Sequence, residues 1–293
     1  MRERIIIDAH VHLWEKQNGC IDGLPVYGLG GGVSTFLGRP HQMMPPYMDD
    51  NVNNAERLLA NMDYAQVNAC VVTQEYMDGN QDEYLLKVRH KYPERFRVCS
   101  LYEEREDYRL EGFDGIKICA GRLKCQDLKK LLPVFRKAEE AGVFIGLDLA
   151  DGDLQTEDMQ YLIDACPELK ITIGHFGMVT TKGWQKQIAL AKNPNVYIES
   201  GGLTWLFHKE FYPYPSAIDA ILEARDICGM EKLMWGSDYP RTMTDITYTS
   251  AVRFIADTPK MTEAEKDAFL GGNAVKFYGL EGLKPLPERE NML

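Results

Sequence analysis

The strongest constraint on this chain is an alternation. Eight short apolar or β-branched runs, RIIIDAHVH (4–12), ACVVTQE (69–75), RFRVCSLY (95–102), FDGIKICA (113–120), VFIGLDL (143–149), KITIGHF (170–176), VYIESGG (196–202) and KLMWGSDY (232–239), are separated by longer stretches. Six of those stretches, NNAERLLANMDYA, DEYLLKVRHKY, QDLKKLLPVFRKAEEAG, TEDMQYLIDAC, KGWQKQIALAKN and SAIDAILEARDICGM, repeat apolar residues every three or four positions, the period of a one-sided helix. Strand followed by helix, repeated, predicts a parallel sheet, and eight strands are the number that closes a (β/α)8 TIM barrel. An open doubly wound sheet is the alternative. It would need a Gly-rich phosphate turn directly after a strand, whereas GLGGGV (28–33) follows none and reads as flexible loop.

The 293 residues fit one such barrel, so a single domain over 1–293 is expected. Between the first strand and the first helix, residues 13–50 form a connection far longer than most and rich in Gly and Pro. Hung from a C-terminal strand end, it is expected to act as an active-site lid; the alternative is a disordered insertion, against which Trp14, Tyr27, Phe36 and Tyr47 supply packing groups.

With a net charge of −11 the chain repels phosphate backbones and anionic membrane surfaces, so nucleic acid is not an expected partner. No apolar run approaches the roughly 18 residues of a membrane span. MRERIII passes straight from charge into a strand-like run without a small-residue cleavage site, which predicts a cytoplasmic protein. The seven cysteines include no C-x-x-C pair and are expected to be reduced core residues. A small-molecule substrate and a homo-oligomeric state complete the expectation.

Chemistry concentrates at strand ends. In the first strand Asp8, His10 and His12 alternate, so a regular strand would place all three on one face, and two imidazoles at that spacing can converge on one metal ion. A satisfied core pair is the competing reading. His175 ends the sixth run in GHFG and Asp238 ends the eighth in WGSDYP, both where barrel enzymes build their sites.

Taken together, IDAHVHLW, NMDYAQVNACVVTQ (61–74), HKYPERFR (90–97), GFDGIKI (112–118), ITIGHFG (171–177), MWGSDYP (234–240) and GNAVKFYGL (272–280) resemble the amidohydrolase superfamily. More narrowly they resemble its amidohydrolase-related branch of lactonases and metal-dependent decarboxylases. The resemblance implies a distorted barrel in which His10 and His12 match metal ligands, Asp238 a ligand that also moves protons, and His175 a catalytic or second-metal histidine. One departure stands out: where the family keeps a fifth-strand histidine, this chain has Asp148. That carboxylate is expected as a metal ligand, or alternatively as a cap of the following turn. One divalent ion, zinc or manganese, is the expected cofactor, with a metal-free mode left open by Asp148.

Lys117 lies where binuclear relatives keep a carbamylated lysine, and it is expected here as a structural or substrate-facing cation instead. Arg241, Arg122, Lys124, Arg39 and His41 are candidates to hold a substrate carboxylate or hydroxyls, set against solvated surface charges. Glu199 is a candidate proton shuttle or hydroxyl acceptor, or a turn residue; Trp14 and Trp205 could stack on a sugar ring or merely wall the mouth. Ser237 has no paired base and no Gly-x-Ser-x-Gly elbow, and Cys119 and Cys166 have no histidine beside them in sequence, so nucleophilic catalysis is disfavoured. The resemblance implies opening of a small sugar-acid or dicarboxylate lactone: Asp238 takes a proton from water and returns it to the leaving alkoxide, while His175 or the metal polarises the carbonyl. Non-oxidative decarboxylation of an aromatic or unsaturated acid, and a catalytically degenerate binding barrel, are the alternatives.

Overall fold

The computed structural model describes residues 3–287, so the two ends of the expected 1–293 domain lie outside the described residues. Eight parallel strands follow one another around a barrel in chain order. They are β1 (Ile7–Val11), β2 (Ala69–Val72), β3 (Phe96–Leu101), β4 (Gly115–Ile118), β5 (Phe144–Leu147), β6 (Ile171–Ile173), β7 (Val196–Glu199) and β8 (Leu233–Met234). Each falls inside one of the eight apolar runs. Past the short β8 the barrel is closed onto β1 by three backbone bonds, Ala9 N to Trp235 O at 2.9 Å, Asp238 N to His10 O at 2.9 Å and His12 N to Tyr239 O at 2.8 Å.

The six amphipathic stretches become helices, among them α1 (Ala55–Ala65), α2 (Asp82–Lys91), α3 (Leu132–Ala141) and α4 (Thr156–Ala165). Asn54 caps α1 by accepting from Arg57 N at 3.0 Å, an arrangement worth about 1 kcal/mol. Two sets of apolar residues divide the core. Val11, Val72, Val98, Ile116 and Ile145 pack outward with the helices, whereas Ile7, Ala9, Ala69, Val71, Phe144 and Met234 pack with Phe277 and Tyr278 of the last helix (Asn273–Tyr278). The second set plugs the barrel, leaving the opposite end, where the strands finish, free for a site.

Residues 13–50 are structured. A two-stranded hairpin (Cys20–Ile21 with Leu24–Pro25) is followed by a three-stranded antiparallel sheet (Gly28–Gly30, Val33–Phe36, Arg39–Gln42). GLGGGV is therefore a hairpin and not a flexible loop: Gly30 pairs with Val33, and the two residues between, Gly31 and Gly32, have φ of 60° and 72°. A two-residue turn with both φ values positive matches strand twist and favours glycine at both places. Of the cysteines, Cys70, Cys99, Cys119 and Cys166 are buried as expected, but Cys20 is exposed and Cys125 and Cys228 are partly so; all seven are unpaired. Among the described residues no helix is long and apolar enough to cross a membrane.

Candidate active site

Strand β1 is not regular. Its register against β2 shifts between Asp8 and Val11, and this irregularity takes Asp8 out of phase with the histidines. The Asp8 carboxylate instead accepts from Ser237 N (2.8 Å), Ser237 Oγ (2.5 Å), the Tyr248 hydroxyl (2.7 Å) and His10 N (3.2 Å). It thereby ties β1 to the segment that carries Asp238, while the imidazoles turn into the barrel mouth.

There His10 Nε2 and His12 Nε2 stand 3.1 Å apart, with Asp238 Oδ1 3.1 Å from the second and 3.8 Å from the first. Each ring's other nitrogen meets a carboxylate, His10 Nδ1 at Glu199 Oε1 (2.7 Å) and His12 Nδ1 at Asp78 Oδ2 (2.9 Å). Such partners hold the protons on the Nδ1 atoms and leave both Nε2 lone pairs facing the Asp238 oxygen. Three electron-pair donors cannot share one point without a positive charge between them. The group therefore fits a divalent ion bound by His10, His12 and Asp238, a nitrogen and oxygen set of the kind zinc and manganese accept. Protonation answers the same demand: burial opposes charge on His12, yet Asp78 and Asp238 hold it well above the ordinary histidine value. His10, with burial dominant over Glu199, is lowered, and Asp238 is held far below the usual carboxylate range because His12 outweighs its burial. Gly201 and Gly236 permit this packing, since a Cβ on either would lie within 2.9 Å of His10.

His175 follows β6 in a run of left-handed residues, with φ of 52° at His175, 52° at Phe176, 63° at Gly177 and 54° at Met178. Each non-glycine member costs about 1–3 kcal/mol, strain of a kind that gathers at functional sites. The turn brings the His175 ring within 4.7 Å of that of His10, donates Nδ1–H to Gly201 O at 3.0 Å and sets Nε2 3.6 Å from Asp148 Oδ2. Against the cost of burial, Asp148 lifts the His175 imidazole to about 10.

Three expectations change here. Asp148 does not join His10, His12 and Asp238; the side chain at β5 is shorter than a histidine, and its Oδ1 meets Lys117 Nζ at 2.7 Å. It falls instead in two neighbouring groups, one with His10 and His175, the other with Glu75 and Cys119. Despite burial, Lys117 and His175 keep its carboxylate well below the usual range. Lys117, 1% exposed, is the counter-ion of Asp148 and does not line the cavity, an arrangement that matches the structural of its two expected roles. Glu199 likewise lies behind the cavity lining: it accepts from His10 Nδ1, Gly201 N (2.5 Å) and His175 N (3.3 Å), contacts that orient the two histidines.

Over these groups opens a cavity of about 450 Å³. His12, His175, Asp148 and Asp238 reach it, as do Trp14, Trp205, Arg122 and Arg241. Trp205 is more than a wall, since its Nε1–H donates to Asp238 Oδ2 at 2.5 Å. Its ring supports the Arg241 guanidinium 5.1 Å from the centroid, a cation–π contact that poises Arg241 at the mouth. Trp14 donates to Asn51 O at 2.9 Å and packs on Met44 and Met48, fastening the insert to β1. Phe36 and Met43 of the insert line the cavity, but Arg39 and His41 do not, since they sit on the sheet's edge strand, all four residues of which are exposed. Lys124 is exposed and away from the cavity. Sequence reasoning passed over Asp78 and Glu75, both lining residues, and over the Asp8–Tyr248 tie.

A family model described as Amidohydrolase matches residues 7–280. No curated protein matches the chain. Among solved structures it is similar to a probable 2-pyrone-4,6-dicarboxylic acid hydrolase from Acinetobacter baumannii with citric acid bound (19% identity, 94% of this chain and 99% of that chain, TM-score 0.69). An amidohydrolase from Burkholderia multivorans with bound zinc is also similar (16% identity, 94% and 99%, TM-score 0.67). So is a 5-carboxyvanillate decarboxylase from Novosphingobium aromaticivorans complexed with manganese and a nitrobenzoic acid (18% identity, 78% and 81%, TM-score 0.57). Since the matched region begins with the first residue of β1 and runs past the last helix, the chain belongs to the amidohydrolase family.

Proposed function

We propose that the protein is a hydrolase that opens a small lactone, of sugar-acid or dicarboxylate origin, in the cavity above His12 and Asp238. The observation that carries the reading is the state of Asp238, a carboxylate steered by His12 and Trp205 toward a cavity that also holds the His175 imidazole. Asp238, whose ionised form His12 favours, takes a proton from water as the water oxygen attacks the carbonyl carbon. His175, protonated at neutral pH, places positive charge where the carbonyl oxygen becomes negative. Arg241 and Arg122 supply the cations that a carboxylate-bearing lactone needs in an otherwise acidic protein. One divalent ion, zinc or manganese, would be held by His10, His12 and Asp238 and would add positive charge that polarises the carbonyl and acidifies water. The reaction consumes one lactone, releases one proton and forms no carbon dioxide, so acid release from a lactone panel tests it.

Two results follow from the site. Elemental analysis of protein purified without added metal is expected to find about one equivalent of zinc or manganese, and less than about a tenth after His12→Ala. The second concerns pH. The His175 pKa is raised, so its charge is present at neutral pH and is lost only as pH climbs through about 10. In Asp148→Asn the main support for that charge is gone, and the alkaline limb of kcat/KM on dihydrocoumarin, whose phenolate leaves without a proton, is expected to move down toward the ordinary histidine value of about 6.5. An unmoved limb would show that His175 is not the group responsible.

A further inference from the structure

In the cavity that Asp238 lines lies a further acidic group with no part in the steps above. Glu75 follows β2, lines the cavity and is 8% exposed; one of its carboxylate oxygens lies within 4.8 Å of an Asp148 oxygen and of Cys119 Sγ. The buried ammonium of Lys117 acts on both carboxylates, but it is committed to Asp148 at 2.7 Å, with His175 Nε2 on the same carboxylate at 3.6 Å. Two close carboxylates with their cations gathered on one of them keep a proton on the other. Glu75 is that other, and burial together with Asp148 pushes its carboxyl up to about 8. The Cys119 thiol is held protonated by burial and by Glu75, so it is not the reactive group.

Position matters as much as protonation. Glu75 N donates to Asp78 Oδ2 at 3.2 Å, Asp78 accepts from His12 Nδ1, and His12 Nε2 meets Asp238 Oδ1, so three hydrogen bonds tie the Glu75 main chain to the proposed base. Asp238 has its two oxygens engaged by His12 and Trp205.

We infer that Glu75 is a further catalytic residue, the general acid that protonates the ring oxygen as the lactone C–O bond breaks; this rests on the lactonase reading. Water oxygen bonds to the carbonyl carbon and its proton goes to Asp238. The bond from that carbon to the ring oxygen breaks, its electron pair stays on oxygen, and the Glu75 proton converts it to a hydroxyl. The proton on Asp238 then restores Glu75 through water in the cavity, and ionisation of the product acid releases one proton overall.

The test compares δ-valerolactone, whose leaving alkoxide needs a proton, with dihydrocoumarin, whose leaving phenolate does not. Glu75→Gln keeps the shape and an N–H donor but has no transferable proton. It is expected to lower kcat/KM on δ-valerolactone about 100-fold while dihydrocoumarin falls less than about threefold. Both rates are read on one preparation, so the folded fraction cancels from their ratio. An unchanged ratio with active wild type overturns the assignment alone. Wild type inactive on both lactones overturns the lactonase reading, and the assignment with it.

Discussion

Asp238→Asn is expected to reduce turnover by about 10³-fold or more while leaving the barrel folded. Asparagine keeps the shape of the side chain, and its carbonyl can still accept from Trp205 Nε1, but it cannot take a proton from water. Asp238 is placed by main-chain bonds as well as by its side chain: Asp238 N donates to His10 O, and Ser237 before it is gripped by Asp8. The substitution should therefore leave the far-ultraviolet circular dichroism unaltered and shift the melting temperature by less than about 5 °C. A variant retaining a tenth of wild-type kcat would show that another group activates water.

The second large effect is on stability. Lys117→Met removes a buried ammonium from a largely buried pair and leaves Asp148 with His175 as its only close cation among the described residues. Breaking a buried pair from one side costs about 3–5 kcal/mol, since the remaining charge stays desolvated. For a chain of this size that is a fall in melting temperature on the order of 10 °C. Removing both charges in Lys117→Met/Asp148→Leu should recover most of the loss, because two apolar side chains of similar volume need no counter-ion. If the single and double variants melt alike, the pair is not what holds this part of the barrel.

These expectations depend on residues that were unequally legible in the sequence. The barrel was readable because strand and helix impose different apolar periods, and eight alternations leave few topologies. His10, His12, His175 and Asp238 were readable because each ends a strand-like run in a motif shared with the family, and the chain brings three of them into one donor group with His175 beside it. Asp8 was misjudged because strict alternation assumes a regular strand, and an irregularity in β1 cannot be seen from composition. Glu75 and Asp78 sit in TQEYMDGNQD, where carboxylates beside glycine and asparagine look like any polar turn. Their roles come from β5, about 70 residues on in sequence, and from His12, contacts set only by barrel closure. Lys117 and Asp148 share a further property: each looks like a ligand contact when considered alone, and only their mutual distance reveals a counter-ion pair. Arg39 and His41 failed for the opposite reason, since a long insert was expected to fold its charges inward, whereas its sheet presents Phe36 and Met43 to the cavity.

Acid release is the most direct measurement of what this cavity does. Wild-type protein and Asp238→Asn are each incubated with sugar-acid and dicarboxylate lactones in a weakly buffered indicator solution, with product identity and dissolved carbon dioxide followed in parallel. The proposed function predicts one proton and one hydroxy acid for each lactone consumed by the wild type, no carbon dioxide, and background rates with the variant. Carbon dioxide released from aromatic or unsaturated acids, with every lactone left intact, would contradict it.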